Sequence, residues 1–350
     1  MLALRHGWIC SGSSLFCLAL NYKQMSLYHA LPFFFYILGP RYNSWRGFRE
    51  IVQVGVVVIL TFAACWLPFI SEADHVIMRM FPFNRGLFED KVATFWCSLS
   101  VVVKVRDMFE RVTLVRAALF ITLIAVLPSQ ILLFRKATPQ KFLLALTNSA
   151  LGFFLFSFHV HEKTILIPLT TVVLLLCANE HTNKQTDRKH SNSQSVKHTN
   201  KQPDKHSNTQ PVKQSNIQPV KQSNTQTNKQ SNTQTNKHPS ISLPVAWFIL
   251  IATFSMHPLL LRDGLGVMYV AGTGLFLSLL HVILRNQENN KSLLLLFWLS
   301  VLGCLVLHLV EVAVPPPERY PFLYPTLNAL YSAAHFAAFF CYFNYLQIAD

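Results

Sequence analysis

Two short polar stretches interrupt an otherwise apolar chain: FPFNRGLFEDK over Phe81–Lys91 and SFHVHEK over Ser157–Lys163. In the second, His159, His161, Glu162 and Lys163 stand between two apolar runs, a setting where ionisable groups are expensive and mark a pathway or a site. His and Lys donate charge-assisted hydrogen bonds to a phosphate, and a neighbouring Glu orients or neutralises them. An ordinary loop between two helices would carry similar residues. His-x-His-Glu also raises a metal, but the HExxH spacing is absent and none is assigned to it. In the first stretch Arg85 precedes a glycine, and Glu89, Asp90 and Lys91 follow in a loop entered through Pro82. Paired acids beside a base suit sugar hydroxyls and anionic headgroups, although a solvated loop looks much the same.

Smaller polar breaks lie elsewhere. Tyr22, Lys23, Gln24, Tyr28 and His29 read as an interfacial belt. Lys104, Arg106, Asp107, Glu110 and Arg111 read as an interfacial segment. His257, Arg262 and Asp263 cluster at a tight turn between two apolar runs. His281 and His308 stand singly in apolar helices and read as packing histidines, Glu311 lies towards one end of its helix, and Pro315–Pro321 forms a rigid loop.

These residues must be positioned by membrane-spanning helices. The chain of 350 residues is 51% hydrophobic, holds 28 Phe and is only 13% charged, which excludes an ordinary soluble domain. Apolar runs at Ile51–Ile70, Thr113–Phe134, Leu243–Leu261, Val267–Leu284, Ser292–Val314 and Pro325–Leu346 each reach roughly the 20 residues needed to cross a bilayer. Shorter runs at Ile9–Leu20, Met25–Leu38, Phe142–Phe158 and Thr164–Ala178 can cross where flanks snorkel or the bilayer thins. The expectation is an all-α polytopic membrane protein with about ten crossings. No secretory signal is evident at the start.

Residues 179–240 differ in kind. They are rich in Asn, Gln, Ser, Thr, Lys and His, and an eight-residue unit recurs with Lys at 189, 197, 205, 213, 221, 229 and 237. With no apolar seam to stack, this segment reads as a disordered insertion separating a membrane region over 1–178 from C-terminal helices over 241–350. It also carries half of the formal net charge of +14, so the basicity is no sign of nucleic-acid binding. The seven cysteines lie in or beside apolar runs without CxxC or Cys/His spacing, which argues against a disulfide framework or a zinc site.

Placing the basic insertion in the cytosol orients the chain. Loops 40–50, 135–141 and 285–291 then face the cytosol, and loops 71–112, 158–163, 262–264 and 315–324 face the lumen, provided Phe95–Val103 is an interfacial or re-entrant helix. Both polar stretches fall on the lumenal face and can share a site. The sequon Asn290-Lys291-Ser292 falls on the cytosolic side and should carry no glycan.

FPFNRGLFEDKVATFWCSL and FLFSFHVHEKTILIPL closely resemble stretches of the endoplasmic reticulum α-1,3-glucosyltransferases that use dolichyl phosphate glucose, and LNYKQMSLYHALPFFFYILG resembles a third. The resemblance is strong from Leu20 to Pro168 and weaker but congruent from Leu243 onward. Two sister enzymes of this family add the first and second glucose to a lipid-linked glycan. Glu89-Asp90-Lys91 leading to Phe95-Trp96-Cys97 resembles the first-glucose enzyme. The resemblance implies a multi-pass protein of the endoplasmic reticulum membrane with a GT-C fold and a lumenal active site. Its substrates would be dolichyl phosphate glucose and a dolichol-linked oligosaccharide carrying nine mannoses, with inversion and no metal or cofactor. By matching positions, His159, His161, Glu162 and Lys163 would bind the donor phosphate, and Arg85, Glu89, Asp90 and Lys91 would line the pocket. The family's acidic catalytic base lies on an early lumenal loop with a DYPPL-like stretch, and this chain has no Asp or Glu before Glu50. The expectations are that the N-terminal part of the fold is missing, that Glu89 or Asp90 is the fallback base, and that the chain alone transfers no glucose. A membrane transporter is the rival class, but charges sit chiefly at helix ends and no duplicated halves are seen.

Overall fold

The computed structural model describes residues 7–80, 91–178, 242–285 and 290–349. Among these, every regular element is helical. The helices are α1 (Ile9–Tyr22), α2 (Ala30–Leu38), α3 (Trp45–Trp66), α4 (Ala73–Met80), α5 (Phe95–Val102), α6 (Val105–Met108), α7 (Arg111–Arg135), α8 (Pro139–Phe156), α9 (166–178), α10 (Ser242–Ser255), α11 (His257–Arg262), α12 (Gly266–Arg285), α13 (Lys291–Ala313) and α14 (Leu323–Ala349). Short 3₁₀ turns precede α2, α4 and α9. Among the described residues, four helical stretches are long and apolar enough to cross a membrane: Trp45–Met78, Arg111–Arg135, Gly266–Leu284 and Lys291–Ala313. Ile9–Tyr22 and Leu243–Ser255 are shorter apolar helices. No disulfide forms among the described residues.

The boundaries follow local chemistry. Ser44 starts α3 by accepting the Gly47 N–H at 3.0 Å, so this helix begins several residues before the apolar run from Ile51. Thr138 caps α8 through the Lys141 N–H, with Pro139 at the first helical position, where its missing N–H costs nothing. Asn290 caps α13 by accepting the Ser292 N–H, so the asparagine of the sequon serves as a helix cap. The run expected as one span over Leu243–Leu261 is broken instead. It changes from α10 to α11 at Met256, because Pro258 cannot donate to a continuing helix and its ring crowds the preceding turn.

At the centre is α8, whose Leu144, Leu151, Phe154 and Leu155 are buried against Val172 and Leu175 of α9, Phe248 and Phe254 of α10, and Phe336 and Phe343 of α14. In lipid, association of helices depends on close packing and on hydrogen bonds rather than on escape from water. Gly152 of α8 supplies the closeness: a Cβ there would meet Val126 Cγ2 of α7 at 2.7 Å and the Phe340 ring of α14 at 3.3 Å. The segment expected as an interfacial or re-entrant helix is α5, an eight-residue helix docked on the bundle. Its Trp96 is buried, and the indole Nε1 donates to the Phe156 carbonyl at the end of α8 (2.7 Å).

The bundle has two polar ends. At one, the C-terminal ends of α8, α10 and α13 meet the starts of α12 and α14; there Asn328 Nδ2 donates to the Phe254 carbonyl at 2.9 Å. At the other, Gln347 of α14 gathers the end of α7 and the start of α8. Ser129 Oγ and Asn148 Nδ2 both donate to its Oε1 (2.6 and 2.8 Å), its Nε2 donates to the Ser129 carbonyl (2.9 Å), and Lys141 Nζ donates to its backbone carbonyl (2.9 Å). All four residues are buried. The Lys141 ammonium therefore rests on the negative end of a helix dipole rather than on a carboxylate.

Candidate functional site

The SFHVHEK loop leaves α8 at Ser157, whose extended backbone ends the helix. From there exposure alternates: His159, His161 and Lys163 are exposed, while Glu162 is buried. The alternation sends two imidazoles and an ammonium outward and one carboxylate into the body of the protein. His161 then caps the next turn. Its Nδ1 accepts the Lys163 N–H at 3.3 Å, and its own N–H donates to Thr164 Oγ1 at 3.3 Å. An imidazole accepting at Nδ1 carries its proton on Nε2, where it can donate to an anion. His159 packs edge-on against Phe158, with ring centroids 4.6 Å apart.

The buried carboxylate of Glu162 is met from another part of the chain. Arg262 Nη2 approaches Glu162 Oε2 at 3.5 Å, and Asp263 Oδ2 approaches Lys163 Nζ at 3.6 Å. Two crossed ion pairs therefore tie the HEK run to the turn after α11. That turn is built for the purpose by Gly264, whose φ of +75° suits glycine alone at no steric cost. The Gly264 N–H bonds the Leu261 carbonyl (3.1 Å) and the Leu265 N–H bonds the Leu260 carbonyl (2.8 Å), a Schellman ending that stops α11 and leaves Arg262 and Asp263 at its last turn. The tight turn with His257, Arg262 and Asp263 was visible in the sequence, but not that it belongs to the HEK site. Its signal was position: loops 158–163 and 262–264 fall on the same face when the spans are alternated.

Of the residues expected from sequence, Lys91, His159, His161, Glu162 and Lys163 are described, and the last four form one continuous exposed edge with a buried acid. Arg85, Glu89 and Asp90 lie outside the described residues. The chain that follows them is anchored nearby, since Val92 and Ala93 are buried in the same core cluster against which Val160 packs. Phe158 packs against Val105 and Leu114, beyond α5. Lys91, just before this anchor, is exposed.

A second polar group lies one turn behind Arg262 and was not foreseen as a unit. His257 Nδ1 of α11 stands 3.6 Å from Glu311 Oε2 of α13, and His308 Nδ1 stands 4.0 Å from the same oxygen. The two imidazole rings lie 4.2 Å apart, and the far nitrogen of His308 shares a 2.8 Å hydrogen bond with the Tyr269 hydroxyl of α12. His308, expected as an isolated packing histidine, is thus hydrogen-bonded and grouped. The i, i+3 spacing of His308 and Glu311 on one helical face was the available sequence signal.

The model of the ALG6, ALG8 glycosyltransferase family matches residues 1–189 and 233–342, which excludes most of the polar repeat. The chain belongs to that family. A dolichyl pyrophosphate Man9GlcNAc2 alpha-1,3-glucosyltransferase of Gallus gallus is 33% identical over 381 residues, covering 100% of this chain and 63% of the relative. Proteins named as probable enzymes of the same kind match as well. That of Dictyostelium discoideum is 32% identical, covering 95% of this chain and 58% of the relative, and that of Schizosaccharomyces pombe is 34% identical, covering 92% and 53%. The chain therefore spans rather more than half the length of these relatives. In this member of the ALG6, ALG8 family, both the HEK loop and the Arg262 turn lie inside the matched residues.

Proposed function

We propose that the chain works as a hexosyltransferase of the endoplasmic reticulum membrane. It takes glucose from dolichyl phosphate glucose and transfers it to the mannose arm of the dolichol-linked Man9GlcNAc2 oligosaccharide, on the lumenal side. The family supports the reaction class, and the names of its relatives, each specifying a Man9GlcNAc2 acceptor, favour the first-glucose reaction over the second.

The observation that carries the site assignment is the pair of crossed ion pairs between Glu162 and Arg262 and between Lys163 and Asp263. Both contacts are long, and the cationic side chains are 57% and 59% exposed. The Lys163–Asp263 pair, exposed on both sides, is of a kind that contributes at most about 1 kcal/mol, whereas the Arg262–Glu162 pair has its carboxylate buried. An incoming phosphate can therefore replace Asp263 on Lys163 at little cost and gain shorter, charge-assisted bonds, while Arg262 is shared between the phosphate and Glu162. The acids keep both cations in place while the donor is absent. In the transfer step the mannose hydroxyl attacks the anomeric carbon from the face opposite the phosphate and a carboxylate takes its proton. The bond from C1 to the phosphate oxygen breaks with inversion, and dolichyl phosphate leaves. Lys163, Arg262 and the Nε2–H of His161 stabilise the charge gathering on that leaving group. His159 lies at the same edge, and Arg85, Glu89, Asp90 and Lys91 are assigned to the sugar side of the pocket, with Glu89 or Asp90 as the fallback base. No metal is required for this displacement.

The test is genetic and direct. Cells that accumulate unglucosylated lipid-linked glycan receive this chain joined to the N-terminal region of a relative, alongside His161→Ala and Glu162→Ala variants of the same fusion. The reading expects glucosylated glycan from the parent and a strong loss in both variants at equal expression. Full rescue by both variants refutes the site, and failure of the parent refutes the activity.

A further inference from the structure

The His257, His308 and Glu311 cluster is built like the inner ligand shell of a transition-metal site. Its three candidate ligand atoms, one from each side chain, all lie within 4.8 Å of one another, and Glu311 Oε2 stands 3.6 and 4.0 Å from the Nδ1 atoms of His257 and His308. Zinc bound at 2.0–2.2 Å in a tetrahedron holds its ligand atoms about 3.4 Å apart, so small side-chain rotations bring the set to bonding geometry. The three ligands come from two helices, with His257 buried at the start of α11 and His308 and Glu311 a turn apart near the end of α13.

The surroundings carry the argument further than the ligand triad does. A metal-bound imidazole needs a partner for its other nitrogen, which fixes the tautomer and the ring plane. His308 has that partner in the Tyr269 hydroxyl, 2.8 Å from Nε2. With Nδ1 on the ion, Nε2 carries the proton and donates it to the tyrosine oxygen. Two imidazoles 4.2 Å apart are also poorly placed to both carry charge, whereas both are suited to ligation when neutral. Their chemistry selects the ion: imidazole favours zinc and its neighbours over magnesium and calcium, which prefer oxygen.

We propose that His257, His308 and Glu311 bind one divalent transition-metal ion, zinc by ligand preference, with Tyr269 as the outer partner of His308. Two His and one Glu leave the fourth position to a water molecule. The ion clamps the start of α11 to α13. Because α11 is a six-residue helix ending at Arg262, the clamp sits about 8 Å along the helix axis from that arginine, and it fixes the element that presents Arg262 and Asp263 to the HEK loop. It is a positioning site and takes no part in the displacement.

The test uses the purified full chain in detergent, stripped with a chelator and reloaded with zinc. Bound zinc is counted by mass spectrometry, and cobalt substitution reports tetrahedral coordination through its visible spectrum. The polar insertion holds His181, His190, His198, His206 and His238, which can take up zinc weakly, so the decisive quantity is the difference between variants. One tight equivalent is expected in the wild type, with the cobalt spectrum of a tetrahedral site. That equivalent should disappear in both Glu311→Gln and His308→Gln, and affinity should fall about tenfold in Tyr269→Phe. Zinc should also raise the melting temperature of the wild type and not that of Glu311→Gln. Absence of a tight equivalent in the wild type overturns the proposal, as does an equivalent that survives in both ligand variants. Preserved folding is checked by size exclusion, and an unfolded variant is replaced by His257→Gln in the same comparison.

Discussion

The two polar ends of this bundle solve opposite problems. At the Gln347 end the polar groups are buried and mostly uncharged, and this one residue bonds two partner helices at once, through Ser129 and Asn148 on its side-chain amide and Lys141 on its backbone carbonyl. At the Glu162 end the groups are charged, three of the four are well exposed, and the contacts are half an ångström or more longer. Short buried hydrogen bonds hold helices in one arrangement because every broken bond leaves an unsatisfied polar group in an apolar surrounding. Long exposed ion pairs hold little, and for that reason they can trade partners with a ligand. The contrast separates what keeps the helices together from what is available for chemistry.

Variants at the two ends should therefore fail differently. The largest effect is expected from Gln347→Leu, which strands the Ser129 hydroxyl and an Asn148 donor in the interior. It should lower stability by about 3 kcal/mol, read as a fall in melting temperature of the purified protein, with donor affinity unchanged in the molecules that stay folded. Gly152→Val comes next. Its side chain would force apart the Val126 and Phe340 contacts and should cost about 2 kcal/mol, read in the same way. At the other end, Arg262→Ala should weaken binding of dolichyl phosphate about tenfold, worth about 1.4 kcal/mol, while stability falls by about 1 kcal/mol because the buried Glu162 carboxylate loses one partner. A melting temperature that drops as far as in Gln347→Leu would break the comparison. The smallest effect is expected from Asp263→Asn, which releases Lys163 from its partner and should change donor affinity no more than about threefold. That change should shrink as salt rises.

Much of this arrangement was legible in the sequence, and the exceptions have physical causes. The apolar runs announced the helices because a bilayer demands length and the absence of charge, conditions that need no partner to be recognised. The HEK loop was legible for the converse reason, as charge where charge is expensive. Residue types alone do not show which charged loop meets another. Glu162 and Arg262 are a hundred positions apart, and their meeting depends on α8 and α10 both ending at the same level of the bundle. The break at Met256 was missed because a proline can also sit inside a membrane helix, as Pro128 does within α7. Only its placement beside His257, at the level where the other helices end, turned Pro258 into the start of a separate short helix. Gln347 was invisible for a simpler reason: a single amide near the end of an apolar helix looks like an interfacial residue, and its three partners come from two other helices.

The central claim, that the HEK loop and the Arg262 turn together receive the donor's phosphate, is tested most directly by equilibrium binding of dolichyl phosphate to the purified chain in lipid nanodiscs. Lys163→Ala with Arg262→Ala is compared with the parent at two ionic strengths. Binding by the parent should weaken with salt, and the double variant should lose about a hundredfold while its melting temperature stays well above that of Gln347→Leu. Equal affinity in parent and double variant would contradict it.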